Sequence, residues 1–293
     1  MKIKVQAPAK INLSLDILGR RPDGYHDVLM VMQTIDLYDT VTITADDSKE
    51  ITISCDYPGV PCDEHNLAYK AASLFFEYTH IENPGIVIDI EKKIPTQAGM
   101  AGGSTDAAAV IMGLNKMFGT YLPVKTMTEV SARLGADVPF CVQGGTVRAS
   151  GTGTDLHKLA PLPDCYFVVC KPPVSVSTAE AYALCDKMNF THPPFTQELV
   201  KALYLRDMFM ITSSLYNDFE VALNLDEVMD IKKIMYKAKS RGAVMTGSGS
   251  AVFGIFSSAK RAEKCVDMLK EKYSCVHLCR PIKHGCAIVD YSV

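Results

Sequence analysis

The feature that most constrains the fold of this chain is the segment 94–109, IPTQAGMAGGSTDAAA, which has three glycines within five positions. It follows a strand-like run, GIVIDIEKKIP, and precedes a helical pattern, DAAAVIMGLNKMF. Glycine costs backbone entropy, so three of them in one loop indicate that another group approaches the backbone closely. The segment predicts a strand–loop–helix unit in which Ser104, Thr105 and Asp106 are candidate N-cap residues.

One group that fits such a loop is a phosphate. The start of a helix presents unpaired N–H groups and a partial positive charge, which suit an anion. Gly99, Gly102 and Gly103 would let the chain fold around it. The alternative is a tight turn packed closely against neighbouring backbone. The segment matches neither G-x-x-x-x-G-K-[ST] nor G-x-G-x-x-G, so phosphoryl transfer would need a lysine and a carboxylate from elsewhere.

The composition is typical of an ordinary soluble globular protein. The 293 residues are 48% hydrophobic with a net charge of −3, which argues against a nucleic-acid partner. The sequence shows no signal-peptide pattern and no run long enough to cross a bilayer, so we expect no membrane partner. The ten cysteines form no CxxC pair. We therefore expect reduced thiols and a cytoplasmic location.

The order of strand-like and helical patterns is mixed without strict alternation, which favours an α+β fold. A change of character around APLPDC predicts two domains, residues 1–160 and 161–293. The first segment, KIKVQAPAKINLSLDIL, predicts one or two strands broken at Pro8. VKTMTEVSARLG predicts a helix that Gly135 ends as its C′ residue.

A cluster of cysteines and histidines near the C-terminus raises the question of a metal site. Its members are Cys275, His277, Cys279, His284 and Cys286. Alternation would place the first three on one face of a strand. Because zinc ligands are usually spaced more tightly, we interpret this cluster as structural.

Three segments together resemble the motifs of the GHMP small-molecule kinases: APAKINLSLDILGRRPDGYHD, IPTQAGMAGGSTDAAA and VMTGSGSAVFGIF. The resemblance covers essentially the whole chain. It implies a ribosomal-protein-like N-terminal α/β domain, a ferredoxin-like C-terminal α+β domain, and ATP and Mg²⁺ as co-substrate and metal. Met100 and Thr105 depart from the residues usual in the family, leucine and serine.

Within that family, RPDGYH and LGADVPF resemble the branch that phosphorylates the 2-hydroxyl of 4-diphosphocytidyl-2-C-methyl-D-erythritol, a step of the non-mevalonate route to isoprenoid precursors. By the resemblance, Lys10 and Asp137 are the catalytic lysine and aspartate. Without the resemblance, we would interpret Lys10 as an exposed lysine of a strand and Asp137 as the cap of a turn. In the implied reaction, Asp137 orients the hydroxyl and accepts its proton. Lys10 keeps Asp137 ionised and offsets charge on the transferring group.

The resemblance also implies the ATP site. The residues concerned are Pro95, Thr96, Gln97, Ala98, Gly99, Met100, Ala101, Gly102, Gly103, Ser104 and Thr105, with adenine near Asn66 and the Lys92–Lys93 pair. The hydroxyl of Ser104 is the candidate contact to phosphate-bound Mg²⁺.

On the substrate side, Asn12 lies two residues from Lys10, on the same strand face, and would contact the erythritol. The resemblance implies that Tyr25 stacks on cytosine and that His26 hydrogen-bonds its edge. Tyr182, with Phe190 behind it, is the candidate for the second stacking aromatic. Gly247 and Ser248, in the third motif, would support phosphates; the alternative for that motif is an ordinary hairpin turn.

Two other functions stay open at this point. One is a different GHMP kinase, acting on homoserine or a mevalonate derivative, against which RPDGYH and GADVPF weigh. The other is a nucleotide- or RNA-binding module, because the N-terminal fold is shared with a ribosomal-protein domain. The acidic balance and the Lys10–Asp137 pair argue against the module. We expect a monomer or a weak homodimer.

Overall fold

The computed structural model describes residues 1–188 and 192–292, which form two β-sheets with helices packed against them. The strands are β1 (Lys2–Arg20), β2 (His26–Ala45), β3 (Ile51–Cys55), β4 (Ile86–Glu91), β5 (Thr146–Ser150), β6 (Asp155–Lys158), β7 (Tyr166–Lys171), β8 (Tyr216–Asn217), β9 (Gly242–Met245), β10 (Val252–Phe256), β11 (Cys275–Cys279) and β12 (Ala287–Ser292). The helices are α1 (Leu67–Thr79), α2 (Gly102–Met117), α3 (Val124–Ser131), α4 (Val138–Gln143), α5 (Thr178–Cys185), α6 (Phe195–Leu205), α7 (Met208–Ser213), α8 (Asp218–Leu223), α9 (Asp226–Lys237) and α10 (Ala259–Lys270).

The first sheet is built around the long antiparallel hairpin of β1 and β2. Its strand order is β12-β1-β2-β4-β3, with β5 and β6 added beyond β2 and β8 beside β1. The expected break at Pro8 does not occur, since β1 continues through it. Instead the pairing with β2 shifts register between Pro8 and Lys10. A bulge of this kind bends a strand locally and re-aims the side chains beside it.

Helix α2 packs closely on this sheet. Its run of alanines is buried, and a Cβ on Gly113 would lie 2.6 Å from the Cδ1 of Ile43. The small side chains therefore let the helix approach the sheet closely. This packing fixes the start of α2, at the glycine loop, relative to β1.

The second sheet has the strand order β11-β7-β10-β9, with every neighbouring pair antiparallel. Numbered along the chain, this is the order 4-1-3-2, with helices in both crossovers, as in the ferredoxin-like fold. The α+β class with a ferredoxin-like second half is thus confirmed.

Two short strands of the second half return to the first sheet. Strand β12 pairs with β1 antiparallel, and β8 pairs with it in parallel. The division into domains of residues 1–160 and 161–293 stays a proposal. If it holds, β8 and β12 belong to the second domain but pair with a strand of the first.

Two predicted helix ends are wrong. Helix α2 begins at Gly102 with Ala101 as its N-cap, and no side chain caps it, so Ser104, Thr105 and Asp106 lie within the helix. Helix α3 ends at Ser131, before Gly135. The loop backbone, and not a polar side chain, sets the start of α2: Ala101 adopts φ 59°.

The cluster of cysteines and histidines is divided between different surroundings. Cys275 and His277 contact each other with Sγ–Nε2 at 3.5 Å, whereas the Cys286 thiol lies 3.6 Å from the Thr105 hydroxyl. Within residues 1–188 and 192–292, these side chains do not converge as a group of three on one point. The interpretation of this cluster as structural stays a prediction. In the same ranges, no helix has the length and hydropathy to span a bilayer.

Candidate active site

A cleft of about 910 Å³ lies where the glycine loop, the β1–β2 hairpin, α5 and the third motif meet. It brings together the sequence-predicted site residues of the described ranges except Thr105 and Lys93. These are Lys10, Asn12, Tyr25, His26, Asn66, Pro95, Thr96, Gln97, Ala98, Gly99, Met100, Ala101, Gly102, Gly103, Ser104, Asp137, Tyr182, Gly247 and Ser248. Thr105 is buried in the first turn of α2 and faces Cys286 instead.

Lys10 is buried, with 4% of its surface exposed, where β1 leaves its register with β2. Its backbone N–H donates to the carbonyl of Met100 in the glycine loop at 3.2 Å. Its ammonium donates to Asn12 Oδ1 at 2.6 Å. The bulge therefore ties the strand to the glycine loop and holds the ammonium over the cleft.

Asp137 is the carboxylate partner of Lys10, with Oδ2 3.7 Å from the ammonium nitrogen. It occupies the N-cap position of α4, but its side chain makes no capping bond there. A third of the side chain is exposed to the cleft, at 33%. The carboxylate is thus ion-paired and at the same time accessible to a hydroxyl group.

The glycine loop crosses the third motif with the two backbones in contact. A Cβ on Gly99, whose φ is +70°, would lie 2.1 Å from the carbonyl oxygen of Thr246. A Cβ on Gly247 would lie 2.7 Å from the carbonyl oxygen of Gly99. A Cβ on Gly103 would have Leu67 at 3.9 Å as its nearest neighbour. Gly99 and Gly247 are therefore required by the crossing itself, while the space at Gly103 is open for a ligand.

Thr246 joins the crossing to strand β1. Its hydroxyl accepts from the N–H of Asn12 at 2.9 Å and lies 3.4 Å from the carbonyl of Gly99. Behind it, the Asn217 amide donates to the carbonyls of Met245 and Gly247. These contacts hold the third motif beside the glycine loop.

Beneath the start of α2 lies a buried ion cluster of Lys92, Asp39 and Asp106. The Lys92 ammonium donates to Asp106 Oδ2 at 2.7 Å and also to Asp39 Oδ2. Burial raises the pKa of Asp106 to about 7, with Asp39 adding to the shift and Lys92 opposing it. Burial pushes the pKa of Lys92 down, but the two carboxylates raise it overall. One buried cation is thus shared by two carboxylates.

The opposite end of the cleft carries the aromatic residues. Tyr25 is 67% exposed, whereas His26 is buried and stacks on Tyr182 with the ring centroids 4.3 Å apart at 14°. Burial raises the pKa of Tyr182 to about 12. His26 Nε2 lies 2.6 Å from Asp186 Oδ1, and this hydrogen bond lowers the pKa of Asp186. Phe190 lies outside the described residues.

Asn66 lines the cleft with its side chain already engaged. It is the N-cap of α1, accepting from the N–H of Ala68 at 2.8 Å and donating to the carbonyl of Pro61 at 2.7 Å. Its side chain therefore shapes the wall by fixing the start of α1.

Several residues were not predicted as part of the site from the sequence: Asp106, Asp186 and Thr178, which line the cleft, and Asp39, which is buried behind it. The hydroxyl of Thr178 lies 2.9 Å from that of Ser248. Asp186 has a local signal, because it stands four residues after Tyr182 and so shares its face of α5. The ion cluster has no such local sequence signal, since Asp39 is 53 positions from Lys92.

Comparisons with known proteins agree with this geometry. The sequence matches the models of the GHMP kinases N terminal domain over residues 66–145 and the GHMP kinases C terminal domain over residues 199–275. It is 44% identical to 4-diphosphocytidyl-2-C-methyl-D-erythritol kinase of Clostridium tetani over 283 residues, which cover 96% of this chain and 100% of that protein. The kinase of the same name from Exiguobacterium sibiricum is 43% identical over 272 residues, covering 92% and 94%.

Among solved structures, a crystal structure of 4-(cytidine 5'-diphospho)-2C-methyl-D-erythritol kinase superposes with a TM-score of 0.79 at 30% identity, covering 96% of this chain and 99% of that one. Homoserine kinase from Cytophaga hutchinsonii gives a TM-score of 0.81 at 24% identity, covering 98% and 97%. At that identity the likeness shows the fold alone.

Proposed function

The chain belongs to the GHMP kinases, in the branch of the 4-diphosphocytidyl-2-C-methyl-D-erythritol kinases, and from this premise we propose that it transfers the γ-phosphate of ATP to the 2-hydroxyl of 4-diphosphocytidyl-2-C-methyl-D-erythritol. The products are the 2-phosphate and ADP, within the non-mevalonate route to isoprenoid precursors. The observation that carries the proposal is the Lys10–Asp137 pair, set in one cleft between the glycine loop and the aromatic residues Tyr25 and His26.

The two substrates occupy opposite ends of the cleft. The triphosphate lies along the glycine loop at the start of α2, where backbone N–H groups and the helix dipole favour negative charge. The cytidine lies at the end of the cleft that is formed by Tyr25, His26 and Tyr182. The methylerythritol then spans the distance to Asn12 and Asp137.

At the centre, Asp137 orients the 2-hydroxyl for in-line attack and takes its proton as the new P–O bond forms. Lys10 pairs with the Asp137 carboxylate and offsets the negative charge on the transferring phosphoryl group. Asn12 Oδ1 holds the ammonium at 2.6 Å, closer than Asp137 Oδ2 at 3.7 Å. Asn12 therefore positions Lys10 as well as facing the substrate.

Mg²⁺ is part of the proposal. Phosphate-bound Mg²⁺ needs only one or two protein oxygens, and the hydroxyl of Ser104 stands in the first turn of α2 on the cleft wall. Such a hard oxygen donor suits the ion. When bound, Mg²⁺ would neutralise charge on the phosphate oxygens.

We also propose that the protein works in the cytoplasm as a monomer or weak homodimer. The ten cysteines are all free thiols in the structure, which supports a reducing compartment. Neither point bears on the chemistry of the cleft.

A substrate panel tests the proposed reaction. Purified protein with ATP and Mg²⁺ is given 4-diphosphocytidyl-2-C-methyl-D-erythritol, homoserine or mevalonate, and ADP release is measured. We expect turnover on the cytidyl substrate. The homoserine kinase likeness makes homoserine the informative competitor; turnover there or on mevalonate, and none on the cytidyl substrate, would overturn the assignment.

The role of Asp137 is tested by Asp137→Asn, which keeps the shape of the side chain but removes the base. We expect kcat to fall about 10²–10⁴-fold while ATP binding, measured by calorimetry, is largely kept. Asp47→Asn, an exposed aspartate outside the cleft, is the matched control. Unchanged turnover in Asp137→Asn would remove this residue from catalysis.

A further inference from the structure

Asp186 occupies the end of α5, where its carboxylate reaches the β1–β2 hairpin 160 positions away in sequence. One oxygen lies 2.6 Å from Nε2 of His26, and the other lies 3.4 Å from Nη1 of Arg20. Both partners line the cleft. No step of the proposed phosphoryl transfer uses Asp186, and no motif of the sequence includes it.

The His26 ring is held from two directions by one helix face. Tyr182 stacks on the ring plane at 4.3 Å, and Asp186 holds its edge. The two residues are four apart on α5, joined by the Asp186 N–H bond to the Tyr182 carbonyl at 2.9 Å. Phe219 packs edge-on against Tyr182 at 4.9 Å. Only 7% of the His26 side chain is exposed, so these contacts restrict the orientation of the ring.

The carboxylate also decides which ring nitrogen carries hydrogen. An ionised carboxylate only accepts hydrogen bonds, so Nε2 of His26 must be the donor. In the neutral ring, Nδ1 is then an acceptor. Such an acceptor suits the 4-amino group of cytosine and is repelled by the carbonyl oxygen that uracil has at the same place.

We propose that Asp186 is a positioning residue that sets base specificity: by fixing His26 in the Nε2–H form, it makes the cleft accept a cytidine diphosphate ester and reject the uridine counterpart. The proposal rests on the proposed function, because it assumes that the base lies at His26. It adds the residue that determines which base is accepted.

The test compares the wild-type protein with Asp186→Asn and Asp186→Ala on the cytidyl substrate and its uridine counterpart. The amide of Asn can donate or accept, so Asp186→Asn keeps the shape and loses control of the tautomer. In both variants we expect KM for the cytidyl substrate to rise at least about tenfold, with kcat and KM for ATP within about twofold. The preference in kcat/KM for cytidine over uridine should fall at least about tenfold.

Glu180→Gln is the matched control, a carboxylate-to-amide change on the same helix. Glu180 closes the capping box of α5 with Ser177, and Gln can do the same. We expect it to leave both the base preference and the melting temperature near those of the wild type. An Asp186 variant that keeps the wild-type base preference, or raises KM for ATP equally, would overturn the proposal.

A second measurement does not depend on turnover. Nitrogen-15 spectra of the histidine rings, with His26 assigned through His26→Gln, report which nitrogen carries hydrogen. We expect the Nε2–H form in the wild type and a mixture in Asp186→Ala; an Nδ1–H form in the wild type would overturn the proposal.

If the wild type phosphorylates the cytidyl substrate but the Asp186 variants behave like the wild type, the inference alone fails. If the wild type does not use that substrate, the proposed function fails, and the inference fails with it.

Discussion

At the scale of single residues, the buried charges are the most demanding feature of this molecule. The side chain of Lys92 is 3% exposed, and its carboxylate partners Asp39 and Asp106 are 0% and 4% exposed. Burying a charge is costly unless it is paired, so each member depends on the others. The cluster stabilises the wall behind the start of α2, next to the proposed phosphate site.

Lys92→Met tests this dependence. The change leaves two buried carboxylates without their cation, and we expect the free energy of unfolding to fall by about 3–5 kcal/mol, measured by urea denaturation. Lys93→Met, at the exposed neighbouring position, should stay within about 0.5 kcal/mol of the wild type. Equal stabilities for the two variants would contradict the pairing.

The raised pKa of Asp106, about 7 against an ordinary value of 3.8, predicts a pH dependence of stability. Because the folded state binds this proton more tightly than the unfolded chain does, the contribution is full below about pH 4 and is lost as the pH rises through about 7. We expect the difference in the free energy of unfolding between ~pH 5 and ~pH 8 to be smaller in Asp106→Asn than in the wild type. Asp267→Asn, an exposed aspartate, should keep the wild-type difference.

At the scale of elements, the glycine loop and the third motif form one interlocked unit. Each needs a glycine where it crosses the other, and Thr246 binds both the loop and β1. The start of α2 is set by this crossing and by the φ of Ala101, since no side chain caps the helix. The proposed phosphate site is therefore built by contact between two loops that are distant in sequence.

Gly99→Ala should disrupt that crossing. Its Cβ would lie 2.1 Å from the Thr246 carbonyl oxygen at a φ of +70°, so we expect a loss of about 2–4 kcal/mol in stability. Gly103→Ala is the matched control in the same loop, and it should keep or slightly raise stability because alanine favours a helix. Thermal melts of both variants check this. If Gly103→Ala raises KM for ATP while remaining stable, the open space there belongs to the ligand.

At the scale of the whole molecule, strand β1 is the element on which both halves of the chain converge. It pairs with β2, with β12 and with β8. The carboxylate of Asp16, buried in β1, accepts from the N–H groups of Phe195 and Thr196, each at 2.9 Å, and so caps α6 from another part of the chain. We therefore expect the two sheets to unfold together.

Asp16→Ala tests the coupling. It leaves two N–H groups at the start of α6 without their acceptor, and we expect a loss of about 2 kcal/mol with a single unfolding transition retained. Asp207→Ala removes a local cap of α7 and should cost about 1 kcal/mol. Calorimetry of both variants gives the comparison. Two separate transitions in the wild type would contradict a single cooperative unit.

Much of what the sequence predicted about the fold came from patterns that extend over only a few residues. The α+β class followed from strand and helix periodicities, and the strand–loop–helix unit followed from the glycines. The alternation that put Asn12 on the same face as Lys10 is confirmed by their 2.6 Å contact. The wrong helix ends at Gly102 and Ser131 arose because loop backbone, and not a polar cap or a glycine, decides them. The prediction that the motif residues share one cleft rested on the family resemblance, because spacing alone does not assign their roles.

By itself, the sequence determined the local conformations: a glycine loop before a helix, a long alternating hairpin and a mixed fold. These depend on steric effects and periodicities that act over a few residues. Only the tertiary structure decided that Lys92 pairs with Asp39 and Asp106, that Gly99 meets Thr246, and that Asp186 holds His26. Those contacts join positions as far as 160 residues apart, and they exist because burial forces each charge, N–H group and ring to find a partner wherever packing places one.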